Sequence, residues 1–115
     1  MKTILIVDDE QNIRDNFTEY FLYDDNYEII TAGNGHEALD RLKTKSPDLV
    51  ILDWWLKSHV EGKDVLAYLK QHHPKVPVFV VTAARDSLED IKALGVTGCF
   101  LKPCPEIFEK IKATV

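Results

Sequence analysis

The 115 residues amount to 13.2 kDa, enough to bury one core and too few for two domains. With 45% hydrophobic and 29% charged residues, the composition is that of a globular protein without an apolar run of membrane-spanning length. A formal charge of -5 excludes broad electrostatic attraction to nucleic acid, which needs clustered Lys and Arg to neutralise phosphates.

The chain opens with one cation and the apolar run Ile4-Leu5-Ile6-Val7 before Asp8. That run is too short for a signal peptide, so a cytoplasmic location is expected. Residues 3–7 read as a first strand, and Ile13, Phe17, Tyr20 and Phe21 as the inward stripe of a first helix. A second strand is predicted over 27–32. It is followed by a helix carrying Ala38, Leu39 and Leu42, with Asn34 as its cap and Glu37 three residues on. Residues 48–52 form a third strand, with Val65, Leu66 and Leu69 on the helix behind it. Residues 76–82 form a fourth, followed by a short helix opened by Asp86 and carrying Leu88, Ile91 and Leu94. A fifth strand over 99–101 leads to a helix beginning near Pro105 with Ile107, Phe108 and Ile111.

Strict βα alternation predicts an α/β fold whose parallel sheet is covered by helices on both faces. The unbroken runs Ile4-Leu5-Ile6-Val7 and Val78-Phe79-Val80-Val81 suit strands buried on both sides. Residues 1–115 read as one continuous domain. Cys99 and Cys104 lack disulfide-framework or CxxC spacing and read as reduced thiols, Trp54 as core, and the four histidines as surface residues.

In an open parallel sheet, ligands bind beyond the carboxyl ends of the strands. There the sequence places Asp8-Asp9-Glu10 after strand one, Asp53 after strand three, Thr82 after strand four and Lys102-Pro103 after strand five. Carboxylates at close range raise each other's pKa, and a hard divalent cation relieves the repulsion. Mg²⁺ fits, because it takes oxygen ligands and keeps several waters. A carboxylate attacks phosphorus to form an acyl phosphate when charge on the transferring oxygens is neutralised from several sides. Asp53 has such surroundings: Asp9 to hold the metal directly, Asp8 through a water, Thr82 to donate its hydroxyl and Lys102 to pair with a phosphoryl oxygen. Acids at a helix N-terminus, a β-branched strand end and a solvated lysine would each be unremarkable alone, and it is their meeting at one edge that favours chemistry.

The motifs Val7-Asp8-Asp9-Glu10, Leu52-Asp53, Val81-Thr82-Ala83 and Leu101-Lys102-Pro103 resemble those of the receiver domains of two-component response regulators, over residues 4–111. The resemblance implies a flavodoxin-like (βα)5 three-layer sandwich with strand order 2-1-3-4-5 and a cis peptide at Lys102-Pro103. It implies a phosphoacceptor rather than an enzyme. Asp53 would receive a phosphoryl group from the phosphohistidine of a sensor histidine kinase or phosphotransfer protein. Mg²⁺ would be held by Asp9, Asp53 and the backbone carbonyl of Trp55, with Asp8 assisting. Output would pass to an effector domain or output protein through the face of helix 4, strand 5 and helix 5, with no direct contact to nucleic acid or membrane.

The chain also departs from that family. Cys99 stands where a switch Tyr or Phe is usual, and Phe100, one place on, should face the other side of the sheet. The interval from Thr82 to Lys102 is short, which predicts that the fourth helix or its loop is short. Lys57 replaces a proline and Gly62 lies one place late, which predicts a reshaped loop after Asp53. These departures keep a second reading in play, a phosphorylation-independent receiver-like interaction module. An aspartyl-phosphate phosphatase is disfavoured by Trp55, which stands where that chemistry wants a second acid. A flavin site is disfavoured by Asp8-Asp9-Glu10, which would repel the cofactor's phosphate.

Overall fold

The computed structural model describes residues 1–115. Five strands, β1 (Lys2–Val7), β2 (Tyr27–Ala32), β3 (Leu49–Asp53), β4 (Val78–Thr82) and β5 (Gly98–Leu101), alternate with five helices. These are α1 (Gln11–Tyr20), α2 (Gly35–Thr44), α3 (Gly62–His72), α4 (Leu88–Lys92) and α5 (Ile107–Thr114). All strand pairings are parallel, in the order β2-β1-β3-β4-β5. The expected flavodoxin-like arrangement is the observed one.

Alternation along the strands divides the interior in two. Leu5, Val7, Val50, Leu52, Val78 and Val80 meet Ala38, Leu42, Val65, Leu66, Leu69 and Ile91 from α2, α3 and α4. Ile4, Ile6, Leu49, Ile51, Phe79 and Val81 meet Phe17, Phe21, Ile107 and Ile111 on the α1 and α5 side. Each fully buried Ile or Leu contributes roughly 1.5–3 kcal/mol relative to exposure. The two-sided burial explains why β1, β3 and β4 read as unbroken apolar runs.

Asn34 caps α2 as expected, its Oδ1 accepting the Glu37 N–H at 2.8 Å. Several boundaries and faces differ from the sequence reading. β3 includes Asp53, and β4 starts only at Val78, after Pro77. Asp86 sits inside a 3-10 turn (Arg85–Ser87), and α4 proper is five residues long. Tyr20, expected inward, is 42% exposed. It stacks on Phe108 at a centroid distance of 4.1 Å, with the Lys112 ammonium 4.8 Å from its ring centre. Leu94 is likewise exposed, lying past the end of α4. His73 is half-buried rather than a free surface residue, its Nε2 donating to the Leu42 carbonyl at 2.9 Å.

Register brings the strand ends level. Val7 lies between Ala32 and Leu52, Leu52 pairs with Val80, and Thr82 with Leu101. Asp8, Asp53, Thr82 and Lys102 therefore emerge at one edge of the sheet.

Candidate acidic phosphoryl site

The turn after β1 is built on Asp8. Its N–H donates to the Ala32 carbonyl at 3.1 Å, continuing the β1–β2 ladder by one rung. Its Oδ1 accepts the Glu10 N–H at 2.9 Å, and its Oδ2 accepts from Lys102 Nζ at 2.9 Å. Lys102 Nζ also lies 3.6 Å from Asp53 Oδ2 and 3.9 Å from Glu10 Oε2. The peptide between Lys102 and Pro103 is cis.

Carboxylate oxygens of Asp8, Asp9 and Asp53 all lie within 4.8 Å of one another. Asp8 and Asp53 are buried and Asp9 is half-buried. Burial, and then the charge of Asp8, push the Asp53 carboxyl up from 3.8 to about 6. Asp9 adds to the rise, while Lys102 and the backbone N–H of Trp55 oppose it. For Lys102 burial acts downward, but the Asp8 hydrogen bond and the charges of Asp53, Asp8 and Glu10 outweigh it and hold the ammonium above its ordinary value. One lysine therefore under-neutralises three acids. That donor set fits a hard divalent cation, which wants carboxylate oxygens and would relieve the repulsion raising Asp53.

Thr82 is fully buried, and its Oγ1 accepts the Ala84 N–H at 3.0 Å. It continues the Val78, Val80 side of β4, whereas Asp53 continues the Leu49, Ile51 side of β3. It shares the edge with the acids but is turned to its own backbone. Trp55 is 55% exposed and, with Trp54, Ser87, Asp90, Ile91 and Leu94, lines a hollow of about 280 Å³ beside α4. Cys99 packs on the α2–α4 side and Phe100 on the other, where it meets Phe79 edge-on at 5.2 Å. Phe100 thus does not stand in for an aromatic at position 99. Burial pushes both thiols up, in keeping with unreactive reduced cysteines.

Four features escaped the sequence reading. The Lys57 N–H donates to Asp9 Oδ2 at 3.3 Å, tying the loop after β3 to an acid of the site. A Cβ on Gly62 would stand 2.6 Å from the Trp54 carbonyl oxygen and 3.0 Å from that of Asp53, so α3 starts directly against the backbone of the acidic strand end. Arg14 Nη1 donates to the Asp8 carbonyl at 2.8 Å. A mainly apolar groove of about 620 Å³ runs between α1 and α5, walled by Ile13, Phe17, Ile107 and Phe108, with Asp53 and Lys102 also in its lining. Gly62 had a signal, as a glycine displaced by one position, and so did Lys57, whose N–H a proline would lack. A lone arginine and two helix faces carry none.

The chain matches the family model described as the response regulator receiver domain over residues 4–113. It is 34% identical to the alkaline phosphatase synthesis transcriptional regulatory protein PhoP of Bacillus subtilis, over 97% of this chain and 48% of that protein. It is 32% identical to the response regulator ArlR of Staphylococcus haemolyticus, over 100% of this chain and 53% of that one. The chain thus spans about half the length of these curated relatives. The response regulator protein TrrA from Thermotoga maritima, solved in complex with Mg²⁺-BeF, superposes with a TM-score of 0.85 at 33% identity and full coverage of both chains. No helix here is long and apolar enough to cross a membrane.

Proposed function

Because this chain belongs to the receiver domains of two-component response regulators, we propose that residues 1–115 form a cytoplasmic receiver in which Asp53 is the phosphoacceptor. Phosphotransfer signalling is the family's role, and receivers of this family bind Mg²⁺ at an acidic pocket and interact with histidine kinases and effector domains. The carrying observation for this chain is the cluster of buried Asp8 and Asp53 with half-buried Asp9, and Lys102 at 2.9 Å and 3.6 Å from the first two.

In this reading Asp9, Asp53 and the Trp55 carbonyl would hold Mg²⁺, with Asp8 assisting. When bound, the cation would supply neutralisation of charge on the phosphoryl oxygens. A carboxylate oxygen of Asp53 attacks phosphorus, the P–N bond of the donor phosphohistidine breaks, and the imidazole keeps the electron pair and takes a proton from solvent. Lys102 moves from Asp8 toward one phosphoryl oxygen, and Thr82 gives up its Ala84 contact to donate to another. The apolar groove between α1 and α5 has Asp53 in its lining, which supports docking of a phosphohistidine-bearing donor there. Movement of Thr82 and Lys102 then shifts a two-state equilibrium of the α4, β5 and α5 face, altering affinity for an effector domain or output protein.

The test is incubation with acetyl phosphate plus Mg²⁺, followed by intact mass, and with beryllofluoride plus Mg²⁺, followed by the fluorescence of Trp54 and Trp55. One added phosphoryl mass, absent in Asp53→Ala, is expected. A wild-type chain that gains no phosphoryl mass supports instead the phosphorylation-independent interaction module, which Cys99 and the five-residue α4 favour.

A further inference from the structure

Arg14 is a cation near the N-terminal, positive end of α1, where the helix dipole disfavours it. Its reason for being there is the Asp8 carbonyl, to which Nη1 donates at 2.8 Å. The β1 strand ends at Val7, and of the Asp8 backbone only the N–H still joins the ladder, on Ala32. The carbonyl belongs to the Asp8–Asp9 peptide, which is a rigid plane. Whatever holds that oxygen therefore sets the rotation of the plane and, with it, the direction in which Asp9 leaves the backbone.

The guanidinium is framed from a second element. A Cβ on Gly33, in the turn after β2, would lie 3.2 Å from Arg14 Nη1 and 3.4 Å from Cζ. The absence of a side chain at position 33 lets the arginine lie flat against the chain there. Arg14 thus ties α1, the end of β1 and the β2–α2 turn to a single peptide plane.

We infer that Arg14 is a positioning residue for the cation site, fixing the Asp8–Asp9 peptide so that the Asp9 carboxylate is aimed at the metal before it arrives. This rests on the proposed Mg²⁺ site, and it has a sign that separates it from simple electrostatics. A guanidinium close to a cation site repels Mg²⁺, so by charge alone its removal tightens binding. By positioning, its removal weakens binding, as loss of groups that orient metal ligands does, by about tenfold.

The experiment is titration of Mg²⁺ into wild type, Arg14→Ala and Gly33→Ala, read by calorimetry and by tryptophan fluorescence, at low and high KCl. The expected result is about tenfold weaker binding in Arg14→Ala, persisting at high salt where charge effects are screened. Gly33→Ala, which leaves the arginine in place but crowds it, is expected to show a smaller loss of the same sign. A role in stability alone would lower the melting temperature of Arg14→Ala without moving the Mg²⁺ affinity of the folded protein. Equal or tighter Mg²⁺ binding in Arg14→Ala overturns the inference. Should that variant not fold, unaltered binding in Gly33→Ala overturns it. No Mg²⁺ response in the wild type overturns the metal-site reading itself, a separate failure.

Discussion

Lys102 and Asp8, 94 positions apart in sequence, are joined by a 2.9 Å ion pair in which the carboxylate is buried and the ammonium is largely covered. The same ammonium is 3.6 Å from Asp53, so the cation belongs to Asp8 and only leans toward Asp53. Removing it leaves two buried carboxylates facing each other without a counter-charge. Lys102→Met, which keeps most of the apolar stem, is expected to lose about 1–3 kcal/mol in metal-free buffer. Saturating Mg²⁺ should restore more stability to this variant than it adds to wild type, because a bound cation replaces the missing neutralisation. Urea denaturation with and without Mg²⁺ measures both, and equal Mg²⁺ gains would count against the shared-charge account.

The position of Asp53 sets a pH dependence. Its carboxyl titrates at about 6 in the fold, against about 3.9 in an unfolded chain, because burial and Asp8 disfavour its charge. A raised acid contributes its stability below the unfolded value and loses it as pH rises through the folded one. Ionised Asp53 therefore weighs on the fold above pH 6. Asp53→Asn should be more stable than wild type at pH 7.5 by on the order of 2–3 kcal/mol in chelator, with the gap closing toward pH 4. Stability curves that run parallel across this range would contradict it. By the same sign, Mg²⁺ affinity should fall as pH drops below about 6, since protons and the cation compete for one carboxylate.

Trp55 follows Asp53 by two positions and is 55% exposed, lining the hollow at α4. Its bulk is expected to slow the approach of water to the acyl phosphate. Trp55→Ala or Trp55→Asn should shorten the lifetime of the phosphorylated protein severalfold, followed by loss of the added mass with time. An unchanged dephosphorylation rate rejects a shielding role.

Gly62 abuts backbone, not side chain. An added methyl would stand 2.6 Å from the Trp54 carbonyl oxygen and 2.9 Å from its Cα, and neither atom can rotate away. Gly62→Ala should cost about 1–3 kcal/mol of stability by forcing α3 off the strand end. It should also slow labelling of Asp53 by acetyl phosphate in the fraction that remains folded. A variant with wild-type melting and labelling would show that the helix start yields freely.

Much of the architecture was legible residue by residue. The unbroken runs over 4–7 and 78–81 identified strands covered on both faces, and Asn34 with Glu37 marked where α2 begins. The acids, Thr82 and Lys102 could be assigned to one edge because parallel strands all end there. Tyr20 and Leu94 were misassigned because apolar spacing names a face without saying what covers it. At Tyr20 the cover is Phe108 and Lys112, from the far end of the chain.

By itself the sequence determined the βα rhythm, the five side chains at the strand ends and the family to which they belong, because these depend on local periodicity and on residue type. The tertiary structure alone decided that Lys102 rests on Asp8, that Thr82 faces its own turn, and that Arg14 lies against Gly33 to hold the Asp8 carbonyl. The Lys102–Asp8 and Arg14–Gly33 approaches join segments distant in the chain and are settled by register and packing across the sheet, while the turn contact of Thr82 is local and only the folded geometry shows the hydroxyl taking it.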